Sequence, residues 1–132
     1  AGLAASGLHG EALTLVANAL DVQTRGGKFL FAPALMRVKG LILASRSHED
    51  YPEAETSFLL AIDWARRQSA NLFELNAATD LAELLFKQGR ETQACEHLTS
   101  ALDRMPDGIL FPPHRRALQI LNRLPSSIKA VG

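Results

Sequence analysis

Apolar residues along this chain recur three and four positions apart and hardly ever alternate singly. That is the spacing of helices that each bury one face, and no period-two run is long enough for a strand. Six segments carry the pattern, at about residues 8–24, 29–46, 52–69, 71–88, 91–104 and 113–124. Turn-forming residues separate them: Gly26-Gly27, the polar stretch Ser47-His48-Glu49-Asp50, Asn71, Gly89, and Pro106-Asp107-Gly108 followed by Pro112-Pro113.

Three of the stretches align without gaps: EALTLVANALD from Glu11, EAETSFLLAID from Glu53 and QACEHLTSALD from Gln93. Their first alanines are Ala12, Ala54 and Ala94, and seven residues on come Ala19, Ala61 and Ala101. A larger residue lies midway in each, Val16, Phe58 or Leu98. Gly7 and Gly89 mark a turn five residues before the first alanine, where the middle copy has the longer SHEDYPEA. Two antiparallel helices approach closely only where small side chains meet at the crossing. Gly40 and Ala82 on the first helices of two hairpins are therefore expected to face Ala54/Ala61 and Ala94/Ala101 on the second helices. Phe58 and Leu98 would then fill the space toward the next hairpin. Pro106 follows Ala101 by five residues and is expected to stop the second helix.

Small residues at the crossings, repeated at steps of 42 and 40 residues, predict an all-α fold, a tetratricopeptide-like α–α superhelix of antiparallel helix hairpins, with longer helices or turns than the usual repeat of about 34 residues. The whole of residues 1–132 reads as one helical-repeat unit. Helix 8–24 is the second half of a repeat lacking its first helix, 29–69 and 71–105 are two full repeats, and 113–124 is a capping helix. One apolar face of helix 8–24 is then left exposed, or covered by a second copy of the chain.

The stretches PALMRVKG at 33–40, AIDWARRQSANLFELNAATDLAELL at 61–85 and KQGRETQA at 87–94 resemble one family in particular. It is the C-terminal tetratricopeptide-like region of bacterial multidomain signalling regulators. In these an output domain, a winged helix or a nucleotide cyclase, precedes a STAND-type ATPase and then the repeats. The chain has His114, Arg115 and Arg116 where that family usually has acidic residues. The resemblance implies a segment that senses or binds a partner, or the rest of its own parent chain, and passes the event to an attached domain. It also places the concave surface on Ala34, Arg37, Leu41, Asn76, Thr79, Glu83 and Phe86. The Lys/Asn pair by which some tetratricopeptide proteins grip a peptide carboxylate is not reproduced, but Arg37 can still pair with an acidic group.

Composition narrows the picture further. The chain has 14 basic and 14 acidic residues, so it lacks the cationic excess of a domain that grips nucleic acid through phosphates. A single cysteine, Cys95, excludes an internal disulfide, and no apolar run reaches bilayer length. AGLAASGLHG lacks the basic start of a signal peptide, so a cytoplasmic protein, or a piece of one, is expected.

Candidate chemistry is sparse. Cys95 and His97 lie two residues apart, about 200° round a helix, and cannot share a metal ion. His9, His48 and His114 have no second ligand at helical spacing, and Cys95 reads as a small core residue. Trp64 and Phe73, either side of a hairpin junction, read as core. Asp80 and Glu83 share a helix face, but no nucleophile–base pair accompanies them and no P-loop occurs. The expected role is therefore a non-catalytic sensor or scaffold module that binds a protein, peptide or other ligand without cofactor or metal. Pure assembly, including a homodimer through exposed terminal helices, is the alternative. A helical enzyme or DNA binder is a further one, resting only on Arg115, Arg116 and Arg123.

Overall fold

The computed structural model describes residues 2–27, 31–105 and 112–123, with side chains at 8–27, 31–105 and 116–122. All of it is helix and turn. The six α-helices are α1 (Gly2–Gly26), α2 (Ala32–Arg46), α3 (Tyr51–Arg67), α4 (Asn71–Lys87), α5 (Glu91–Asp103) and α6 (Pro112–Arg123), with one 3-10 turn at His48–Asp50 between α2 and α3. Proline sets three starts, since Pro33, Pro52 and Pro112 fall in the first turns, where a missing N–H costs nothing. Pro106 to Gly108 and Leu124 lie outside the described residues.

Two of the turns are twins. Gln68-Ser69-Ala70 and Gln88-Gly89-Arg90 each close a helix by the same pair of bonds. Ala70 N–H donates to Ala65 O at 2.8 Å and Ser69 N–H to Arg66 O, while Arg90 N–H donates to Leu85 O at 2.9 Å and Gly89 N–H to Phe86 O. This 6→1 and 5→2 pattern requires a left-handed residue, met by Gly89 at φ 74° and, at some conformational cost, by Ser69 at φ 55°. The break that the sequence marks at Asn71 is therefore made at Ser69. Gly7 makes no turn: α1 runs through it from Gly2. A glycine inside a helix costs only about 1 kcal/mol, and the nearby Ala4, Ala5 and Leu8 are strong helix formers.

Turns this short force α2 and α3, α3 and α4, and α4 and α5 to run antiparallel, and each helix packs on the next. In addition α2 packs on α4 and α4 on α6. The chain therefore forms two layers: α2, α4 and α6 in one, α3 and α5 in the other, with α1 laid against α2. A helical superhelix is compatible with this stepwise arrangement. The eight small and large residues assigned to the crossings are all interior: Gly40, Ala54, Phe58, Ala61, Ala82, Ala94, Leu98 and Ala101. Apart from Gly40 they belong to one continuous apolar cluster that reaches Ala117 and Ile120 of α6.

Gly40 lies against the ring of Phe58, the larger residue midway between Ala54 and Ala61. A Cβ at position 40 would lie 2.6 Å from Cε1 of that ring. Phe58 sits halfway between Ala54 and Ala61 on the same helix face, so its ring covers the glycine while the alanines flank the contact. The notch is thus filled from within its own hairpin. Among the described residues no helix is long and apolar enough to cross a bilayer.

Candidate binding face

Helix α4 is enclosed on nearly all sides, and two of its buried residues are carboxylates whose side chains are 1% exposed. Glu74 and Asp80 are six residues apart, about 240° round the helix, so they leave it on different sides. Each is met by two arginines from the layer it points toward, as a buried charge requires.

Glu74 serves the second layer. Its Oε2 accepts from Arg66 Nε of α3 at 2.9 Å and from Arg104 Nη1 beyond α5 at 3.1 Å. Both arginines also donate to Ser100 Oγ. Arg90, in the turn before α5, donates to both carboxylate oxygens of Glu55 on α3.

Asp80 serves the first layer. Arg37 Nε of α2 donates to its Oδ2, and Arg116 Nη2 of α6 donates to its Oδ1 at 2.5 Å. Arg116 also grips Glu83, through Nη2 at 2.8 Å and Nε at 3.2 Å. Burial opposes the Arg116 charge, but its hydrogen bonds to Glu83 and Asp80 outweigh that penalty and raise its pKa further. One carboxylate thus ties together three helices that are not neighbours in sequence. Both guanidiniums remain about one-third exposed and so border the open face.

Two clefts open on this face and share Glu83 and Lys87 as walls. One, of about 270 Å³, is completed by Phe86 and Ile120 between α4 and α6. The other, of about 120 Å³, is lined also by Leu41, Phe58 and Asp80 between α2 and α4.

Of the concave positions that the resemblance implies, Arg37, Leu41, Glu83 and Phe86 fall on or beside these clefts. Ala34 and Asn76 are half-buried and line neither. Thr79 does not belong to the surface: it is fully buried, and its hydroxyl donates to Leu75 O at 2.6 Å. Arg37 is already paired with Asp80, so it is not a free cation awaiting a ligand. Asp80, Lys87, Arg116 and Ile120 are additions. The only trace of them in the sequence is the shared helix face of Asp80 and Glu83, whose cation on α6 no local pattern reveals. Arg116 faces α4 rather than solvent, while the side chains of His114, Arg115 and Arg123 lie outside the described ones.

Cys95 is buried, as its reading as a core residue requires. Trp64 is half-buried with Arg67 stacked 5.2 Å from its ring centroid, whereas Phe73 is 39% exposed and stands outside the buried core. His97 is half-buried on α5, and burial holds its pKa below the ordinary 6.5, against a smaller raising effect of Glu96. The unfolded chain therefore takes up this proton first as pH falls. Stability is expected to be full above pH 6.5, to decline below it, and to level off under the folded value. Urea unfolding followed across that range checks this, and His97→Gln should remove this part of the slope.

Comparison with known protein families, with curated proteins and with solved structures found no match to this chain.

Proposed function

We propose that the chain is a non-catalytic interaction module whose α2–α4–α6 face holds a segment of another protein. The observation that carries this reading is the pair of clefts sharing Glu83 and Lys87 beside a satisfied, rigid charge network. Small-molecule pockets usually occupy about 300–1,000 Å³. A cleft of about 270 Å³ with Phe86 and Ile120 in its walls is better matched to one large apolar side chain of a peptide. Lys87 is exposed and favours an acidic residue next to that side chain. The network contributes by holding α2, α4 and α6 in fixed relation, so that the ordering cost on binding falls mostly on the peptide. The placement of such a module in a bacterial signalling or transcriptional regulator rests on the family resemblance of residues 33–40, 61–85 and 87–94.

Selection of random peptides displayed on phage against the purified chain tests the reading. Enriched peptides should pair an aromatic residue or leucine with a neighbouring acid. Lys87→Glu and Leu41→Asp should each weaken them by about tenfold or more while leaving helicity unchanged. Peptides indifferent to both substitutions, or no enrichment at all, would contradict it.

A further inference from the structure

Helix α1 buries one face and leaves another open. Leu13 packs against the core, Val16 is buried, and Leu20 shares the walls of a cleft with Leu43 of α2. Roughly 130° round the helix from that face runs a seam of residues seven apart, Leu8, Leu15 and Val22, which are 66%, 69% and 70% exposed. A repeat of seven is the period at which one helix follows another. Four positions after each large residue comes a small one: Ala12, Ala19 and Gly26. Gly26 has open space beside it. Three positions after each comes an exposed polar residue: Glu11, Asn18 and Arg25.

We infer that α1 is a self-association surface, pairing antiparallel with α1 of a second copy of this chain. In the register that sets every large residue against a small one, Leu8 meets the partner's Gly26, Leu15 the partner's Ala19, and Val22 the partner's Ala12. The same register, with no further adjustment, sets Glu11 against the partner's Arg25 and Asn18 against the partner's Asn18. Both apolar layers and charges are then complementary under a single two-fold axis, as an isologous dimer demands. Small residues in every layer allow the axes to approach to about 8 Å, the close end of helix packing. A parallel pairing fails on the page: it would bring Glu11 to the partner's flank at Val16, and Val16 is already buried against its own chain. The free flank of each α1 can meet only the same flank of its partner, which makes the pairing antiparallel.

Arg25 makes an exposed bond to Asp21 within its own helix, at 3.0 Å, which the pairing can share or exchange. The seam is short, so association is expected in the micromolar range. The inference is independent of the peptide-binding face on α2, α4 and α6.

Sedimentation velocity of the whole chain from about 1 to about 500 µM tests it. The expected result is a reversible passage from a 14.3 kDa monomer to a dimer. Leu15→Glu, on a residue 69% exposed in the monomer, should preserve helicity and raise the midpoint by about 100-fold or more. Glu11→Arg and Arg25→Glu should each weaken the dimer by about tenfold, and the two together should restore it. A chain that stays monomeric throughout overturns the inference. So does a dimer that survives Leu15→Glu, or one that ignores both charge reversals.

Discussion

Gly40→Leu is expected to cost at least about 3 kcal/mol of folding stability, a large share of the ~5–15 kcal/mol that holds a typical domain together. The first carbon added at this position would already lie 2.6 Å from the ring of Phe58, and the remaining carbons have nowhere to go. The ring cannot move aside cheaply. It is 1% exposed, inside a cluster that includes Leu43, Ala54, Ala61 and Leu84. Gly40→Ala sets the same clash against the ~1 kcal/mol that alanine gains over glycine in a helix, so its net cost should be about 1–2 kcal/mol. Shortening the opposing ring should relieve it. Gly40→Ala combined with Phe58→Leu is expected to cost less than the two changes summed, which urea unfolding of the four variants reads directly. A stabilising Gly40→Ala would mean that the ring does not cover the glycine.

The second large effect lies at Asp80. Removing both of its cations, by Arg37→Ala with Arg116→Ala, would strand a carboxylate whose side chain is 1% exposed. Breaking a buried ion pair in this way costs about 3–5 kcal/mol, because the remaining charge stays out of water without compensation. Glu83 would also lose its partner, but it is more than one-third exposed and can hydrate, so it adds little. The loss should show in both thermal and urea unfolding, and Asp80→Asn in the same background should recover part of it by removing the stranded charge.

How much of this could be read in the chain differs by level. The six helices are visible because each buries one stripe, and the period of that stripe survives in sequence. The residues at the crossings are visible for a related reason: only glycine and alanine permit close approach, so Ala54, Ala61, Ala94 and Ala101 stand out at fixed spacing. What each of them touches is less visible. Gly40 opposes Phe58 because of how far α2 and α3 slide along one another, and side-chain spacing within a single helix does not encode that offset. Gly7 misleads for a local reason, since the same residue type ends a helix at Gly89 and is tolerated inside one at Gly7. Ser69, without a glycine signature, does the work of Gly89 two residues beyond Arg67, the last residue of α3.

The candidate site was the least legible part. Thr79 and Asp80 are adjacent and both buried, but a helix turns about 100° per residue, so Asp80 meets Arg37 and Arg116 while the Thr79 hydroxyl bonds Leu75 O within its own helix. The partners of Asp80 lie 43 residues upstream and 36 downstream, on helices brought together only by the stacking of α2, α4 and α6. The exposed seam of α1 was more accessible, because Leu8, Leu15 and Val22 repeat at seven along a single helix.

The layering of α2, α4 and α6 is the claim on which the candidate face depends, and a thermodynamic cycle through Arg37 and Arg116 tests it most directly. The arginines are 79 positions apart in sequence and make no bond to each other, but both donate to Asp80. Either one alone leaves the carboxylate a cation, so each single alanine substitution should be mild and the double one should exceed their sum by about 1–3 kcal/mol. Additivity within about 0.5 kcal/mol would mean that the two residues do not share a partner, and that the three helices are not stacked side by side.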